Sequence, residues 1–280
     1  MPGPRCYHRQ RTVPGQRDWL SLLCRTLSFP IPSQFIPALS PSPSAVRAGR
    51  PLLYAYQTAN PMHGETQELA AMPAVMAAHG IELPREQVDL LTRYCQQLWT
   101  WNRQLNLTRH TTSEKFVSRD LTDTLRLAEL LERRQRVLDV GTGGGVPGIP
   151  LAIIRPDLKV SLAESVAKKA RAVEQIVQAL SLSITVHHAR AEDVLRKHRY
   201  ETLIVRAVAP LPKLLGWFSN RWRSFGRLLV IKGPSWIDER ADARHRGLLH
   251  NLELRKAAEY PIPGSDNRSV ILQIRPKVKR

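Results

Sequence analysis

From Arg136 to Pro150 the chain reads Arg-Val-Leu-Asp-Val-Gly-Thr-Gly-Gly-Gly-Val-Pro-Gly-Ile-Pro, and few folds accommodate such a stretch. Val137, Leu138 and Val140 form a short apolar run that reads as a buried strand. Five glycines then fall between Gly141 and Gly148. The pattern recovers as Ile149, Leu151, Ala152, Ile153 and Ile154, with Pro147 suited to the first turn of a helix. Strand, glycine turn and helix N-terminus together hold a nucleotide-like ligand at the carboxyl end of a parallel sheet.

The residues that follow repeat the strand–helix alternation. Val160 to Ala163 predicts a second strand ending at Glu164, and Val166 to Leu180 a helix with Ala170, Val173, Ile176, Val177 and Leu180 inward. Ile184 to Val186 predicts a third strand, Leu203 to Val205 a fourth ending at Arg206, and Leu228 to Ile231 a fifth ending at Lys232-Gly233. Glu253 to Arg255 and Ser269 to Ile274 predict two last strands, a hairpin joined across Gly264-Ser265-Asp266. Upstream, Pro84 opens a helix through Val88, Leu91, Cys95, Leu98 and Leu105. Thr112 or Ser113 caps a second, through Phe116, Val117, Leu121, Leu125, Ala128 and Leu131. The expectation is an α/β, Rossmann-like fold with a mostly parallel seven-stranded sheet and N-terminal helices. It divides into a helical segment at 62–132 and a core at 133–280.

Residues 1–61 are different in kind. They hold ten of the 21 prolines, seven arginines, no lysine and one acid, Asp18. Such a segment buries too little to offset its ordering entropy, so disorder is one reading; an Arg-rich targeting peptide is another. The reading we favour starts the protein at Met62 or Met72.

Two glycine registers overlap in the turn. Gly143, Gly145 and Gly148 fit the dinucleotide fingerprint, whereas Gly141, Gly143 and Gly145 fit the acid–glycine turn of S-adenosylmethionine enzymes. Asp139 favours the second: at the strand end it can meet a cationic amino group, while beside a pyrophosphate it would be unfavourable. Glu164, at the next strand end, suits a ribose diol. Ala191 leaves room for an adenine, and Glu192 or a nearby backbone group can accept from its amino group.

Lys168, Arg190, Arg206 and Lys232 would ring one mouth with positive charge. The whole chain carries a formal charge of +18, and such a field attracts polyanions, which points to RNA rather than a small neutral substrate. Three scattered cysteines without a CxxC pair argue against a disulfide framework or structural zinc and fit a reducing, cytoplasmic setting. No run of 18 apolar residues marks a membrane span. The rivals are a methyltransferase for another RNA or a small molecule, a nicotinamide-dependent oxidoreductase with His187-His188 as its eye-catching pair, and a non-catalytic RNA-binding protein.

From about Ile81 to Arg275 the chain resembles the RsmG (glucose-inhibited division protein B) family of class I S-adenosylmethionine-dependent methyltransferases. The matches are Trp101-Asn102, Asn106-Leu107-Thr108, the whole turn through Val146-Pro-Gly-Ile-Pro150, Arg155-Pro156, Glu164-Ser165 with Lys168-Lys169, Arg206-Ala207 and Lys232-Gly233. The resemblance implies methylation of guanine N7 in the 530 loop of bacterial 16S ribosomal RNA (position 527); free RNA and the 30S subunit both stay open as the substrate, and a monomer without a metal is our expectation. It also implies cofactor contacts from Gly141, Val146, Ala191, Glu192 and Arg206. Arg206 and Lys232 are the candidates to orient the guanine, and Lys168, Arg190 and Lys232 to hold RNA; Trp236 is a candidate to help unstack the base, with ordinary packing the favoured reading of that side chain. The chain departs from the family at Asp120, where a histidine is usual, and at Thr124.

Overall fold

A computed structural model describes residues 63–277 of the 280-residue chain. The Pro- and Arg-rich stretch at 1–61 lies outside the described residues.

Four helical pieces precede the sheet: α1 (His63–Ala78), α2 (Arg85–Leu105), α3 (Ser113–Lys115) and α4 (Thr122–Ala128). Pro84 stands at the N-cap of α2, and the Thr112 hydroxyl accepts from the Lys115 N–H at the start of α3. Sequence reading merged α3 and α4 into one helix. A π-helical segment, Phe116–Leu121, joins them instead, and it carries Asp120. Sequence reading named no individual helix before Pro84, and α1 carries Pro73 in its interior, a residue that argues against a helix there.

The core then alternates: β1 (Arg136–Val140), α5 (Gly148–Ile154), β2 (Lys159–Glu164), α6 (Ala167–Ala179), β3 (Thr185–His188), α7 (Ala191–Lys197), β4 (Tyr200–Arg206), α8 (Leu211–Phe218), β5 (Phe225–Lys232) and α9 (Trp236–His245). The hairpin β6 (Leu252–Pro261) and β7 (Arg268–Pro276) closes the chain. Strand order is β3-β2-β1-β4-β5-β7-β6. β1 to β5 pair in parallel and β7 runs antiparallel between β5 and β6. The seven-stranded, mostly parallel sheet therefore matches expectation.

The strands read as unbroken apolar runs because both faces are covered. Val137, Ile204, Leu229 and Ile231 face one core, shared with α5, α6 and the helices before β1. Leu138, Val140, Leu203, Val205, Leu228 and Val230 face the other, under α7, α8 and α9. The helices before β1 thus share an apolar core with the sheet. From β1 the chain winds outward one way to β3, and from β4 it winds the other way; this switch in strand order between the parallel β1 and β4 creates a crevice at their carboxyl ends.

Candidate functional site

The glycine turn sits at that crevice. Gly141, Gly143 and Gly145 have φ values of 66°, 59° and 95°, a region that L side chains adopt only with strain. The Gly141 and Thr142 N–H groups donate to the Ala163 carbonyl at 2.9 and 3.1 Å, which ties the turn to β2. From behind, the Tyr94 hydroxyl of α2 donates to the Gly144 carbonyl at 2.8 Å, and an added Cβ on Gly144 would lie 2.7 Å from Leu98 Cδ1. Burial pushes the Tyr94 phenol well up, so it stays a neutral donor.

Asp139 and Glu164 hold this turn from inside. Asp139 is 1% exposed, and its Oδ2 accepts from the Thr142 hydroxyl at 2.5 Å and the Gly148 N–H at 3.0 Å. The sequence assigned it to a ligand's amino group; the structure engages the carboxylate in the turn and at the N-terminus of α5. Glu164 accepts from the N–H groups of Gly143 (3.0 Å) and Val166 (2.8 Å).

Burial pushes the Asp139 carboxyl from 3.8 up to about 6, against the hydrogen bonds of Thr142 and Gly148 and the charge of Arg206, which favour the anion. The folded chain therefore holds this proton more tightly than the unfolded chain. The stability it contributes is fully present below about pH 4 and is lost as pH rises through about 6. Urea denaturation of wild type and Asp139→Asn should show the wild-type advantage shrinking by roughly 2–3 kcal/mol between about pH 4 and about pH 7. A difference constant across that range would contradict this account.

In front of the turn lies a cleft of about 280 Å³. Gly141, Arg190, Ala191 and Glu192 line it, together with Val140, Ala163, Ser165, Ala189, Val208, Lys213 and Trp217. Four of the sequence-chosen residues thus meet in one cavity. Gly143 and Val146 stand elsewhere in the turn, Val146 packed into the core beside a cis bond to Pro147. Lys168 is exposed in the first turn of α6. Lys213 and Trp217 escaped sequence reading because α8 bears no motif; its apolar spacing was the available signal. Lys213 Nζ stands 5.6 Å from the Trp217 ring centroid. His187 instead faces His198, at 5.2 Å between ring centroids, with the Tyr200 hydroxyl 3.3 Å away.

Arg206 and Lys232 end their strands as expected, but neither lines the cleft and both are engaged. Arg206 Nη1 donates to Asp120 Oδ1 at 2.6 Å and to Asp123 Oδ2 at 3.2 Å. His110 Nδ1 lies 2.7 Å from the same Asp120 oxygen, and the Tyr260 hydroxyl donates to Asp123 Oδ1 at 2.7 Å. Burial works against the Arg206 charge, but the two aspartates more than offset it and raise its pKa. Burial also raises the Asp123 carboxyl, against the pull of Arg206. Asp120 Oδ2 is buried with no hydrogen-bond partner among the described residues. The Trp101-Asn102 and Asn106-Leu107-Thr108 pieces build the loop that delivers His110. Asn102 Oδ1 accepts from the Thr108 N–H at 2.8 Å, Thr108 Oγ1 from the His110 N–H at 3.0 Å, and the His110 carbonyl from the Trp99 indole at 2.9 Å. Lys232 Nζ pairs with Glu239 at 2.7 Å, donates to the Ala209 carbonyl at 2.8 Å, and its side chain is 10% exposed.

No helix among the described residues is long and apolar enough to cross a membrane, and no group of His, Cys, Asp and Glu among them is arranged to hold a metal. Compared with known proteins, residues 87–261 match the GidB family model, described as rRNA small subunit methyltransferase G. A protein of Rhodopirellula baltica named Ribosomal RNA small subunit methyltransferase G is 49% identical over 193 residues, covering 69% of this chain and 84% of its own length. One of the same name from a Roseiflexus species is 38% identical over 203 residues, with 70% and 86% covered.

Proposed function

The chain belongs to the ribosomal RNA small subunit methyltransferase G family, and on that premise we propose that it methylates N7 of a guanine in the 530 loop of 16S ribosomal RNA. The observation that carries the reading is the cleft at the switch in strand order between β1 and β4, floored by Gly141. An added Cβ there would lie 2.9 Å from Val208 Cγ2, so the position leaves backbone open to a ligand that a side chain would occlude. S-adenosylmethionine fits that cradle and, when bound, supplies an electrophilic sulfonium methyl.

The residues then divide the work. Glu164 keeps lone pairs for a ribose diol beyond the two N–H groups it already accepts. Ala163, Ala189 and Ala191 leave space for a flat ring, with Glu192 at its edge and the Trp217 face nearby. Asp139 and Tyr94 keep the turn rigid. Guanine N7 carries an in-plane lone pair and no proton, so the N7–methyl bond forms as the methyl–sulfur bond breaks, and the sulfur keeps the electron pair. No general base is required, and the protein contributes orientation. Arg190 and Lys168, exposed at this end of the sheet, supply positive charge for RNA phosphates. Arg206, held by two carboxylates, and Lys232, held by Glu239, brace the mouth beside the base.

The test is incubation with labelled S-adenosylmethionine and 30S subunits or 16S RNA from a strain lacking the modification. Label at a 530-loop guanine supports the reading; label on small molecules alone overturns it. Lys232→Ala releases Glu239 from the β5 end and should weaken RNA binding severalfold more than cofactor binding, measured by filter binding and calorimetry. Equal losses in both would count against its place at the RNA side of the mouth.

A further inference from the structure

A second cleft, of about 490 Å³, includes Arg240, Arg244, His250, Leu252, Glu253 and Lys277 in its lining. Register fixes its place. Leu252 pairs with Pro276, whereas Lys232 at the mouth pairs with Val270, so this cleft lies at the amino end of the parallel strands, far from the glycine turn. Helix α9 connects the two ends. Its first turn is held at the mouth by Glu239, which meets Lys232 Nζ and accepts from the Leu211 N–H at 2.7 Å.

Trp236, Arg240 and Arg244 recur four residues apart, so they follow one side of α9 from the mouth towards the second cleft. The Arg240 guanidinium stands 4.9 Å from the Trp236 ring centroid. Arg244 is exposed and has no carboxylate partner among the described residues. Nearby acids are committed elsewhere: Glu253 to Arg275 at 2.8 Å, Asp242 to Arg246 at 2.7 Å and Glu239 to Lys232. Asp238, two positions from Trp236, lies on another side of the helix. Lys277 Nζ donates to the His250 carbonyl at 2.8 Å, an uncharged partner, and has no carboxylate partner among the described residues. The result is a line of positive charge with an aromatic at its mouth end. From Trp236 to Arg244 it is about 12 Å long, enough to follow several phosphates of a nucleic-acid duplex.

We propose that Trp236, Arg240, Arg244 and Lys277 form a track for the sugar–phosphate backbone of the substrate RNA, running from the reaction mouth along α9 to the second cleft. The proposal rests on the methyltransferase reading and extends it: the duplex beside the target base is gripped well away from the reacting atom. Guanidinium forks suit phosphate oxygens, and the Trp236–Arg240 pair suits a base or ribose face at the point where the strand leaves the duplex.

The experiment uses the full chain, 16S RNA transcript and labelled S-adenosylmethionine, with an Arg244→Ala/Lys277→Ala double variant. A charge-preserving Arg244→Lys/Lys277→Arg variant serves as the rescue. The double variant should raise KM for RNA by about tenfold, with kcat at saturating RNA within about twofold. Its plot of log affinity against log salt should be shallower by about one to two units. The charge-preserving variant should restore both. Unchanged KM and salt slope in the double variant, with the wild type active, would overturn the track alone. A wild type that transfers no methyl to the transcript or to 30S subunits lacking the modification would overturn the methyltransferase reading, and the track with it.

Discussion

Gly141→Asp should reduce S-adenosylmethionine affinity by about two orders of magnitude or more, because overlap of this kind costs several kcal/mol. Three effects act together. At φ 66° any L residue is strained by about 1–2 kcal/mol. Its Cβ would press on Val208 at 2.9 and 3.1 Å. The carboxylate would occupy the cleft floor and add negative charge near Asp139 and Glu164. Calorimetric titration checks the outcome directly, with circular dichroism to establish that the variant is folded. Unchanged affinity in a folded variant would remove the donor from this cleft.

Arg206→Ala should destabilise the chain by about 3–5 kcal/mol, since it removes the guanidinium shared by the fully buried Asp120 and the half-buried Asp123. Asp123, already raised by burial, would lose its largest charge-favouring neighbour and rise further. A raised carboxyl lends stability in acid that is lost as pH rises, so the deficit against wild type should be smaller near pH 5 than near pH 7.5. Urea denaturation at both values measures it. A loss below about 1 kcal/mol, or a deficit larger in acid, would show that the cluster carries no such weight. This variant is also expected to lose activity, and the stability measurement separates a collapsed mouth from a lost ligand contact.

The sheet was legible because its grammar is local: apolar runs, glycine turn and Pro84 each state a conformation within a few residues. The cleft was half legible. Gly141, Ala191 and Glu192 follow strand ends, where topology puts ligand-facing residues, and the structure gathers them. Lys213 and Trp217 come from a helix whose approach to the cleft depends on tertiary packing. The orientation of Asp139 was harder still. A strand-end acid can face a ligand or the turn beneath it, and only the positions of Thr142 and Gly148 decide. The replacement at Asp120 read as a disturbance of the family pattern. In three dimensions it meets Arg206 and His110, which lie 86 and 10 residues away in sequence.

The bond from Tyr94 to the Gly144 carbonyl couples two events that are distant along the chain. Whatever orders the glycine turn also strengthens the seat of α2, and fraying of α2 loosens the turn by the same free energy. Methyl-donor binding and docking of the N-terminal helices are therefore thermodynamically linked. The helices before the sheet belong to the affinity of the site as much as to its scaffold.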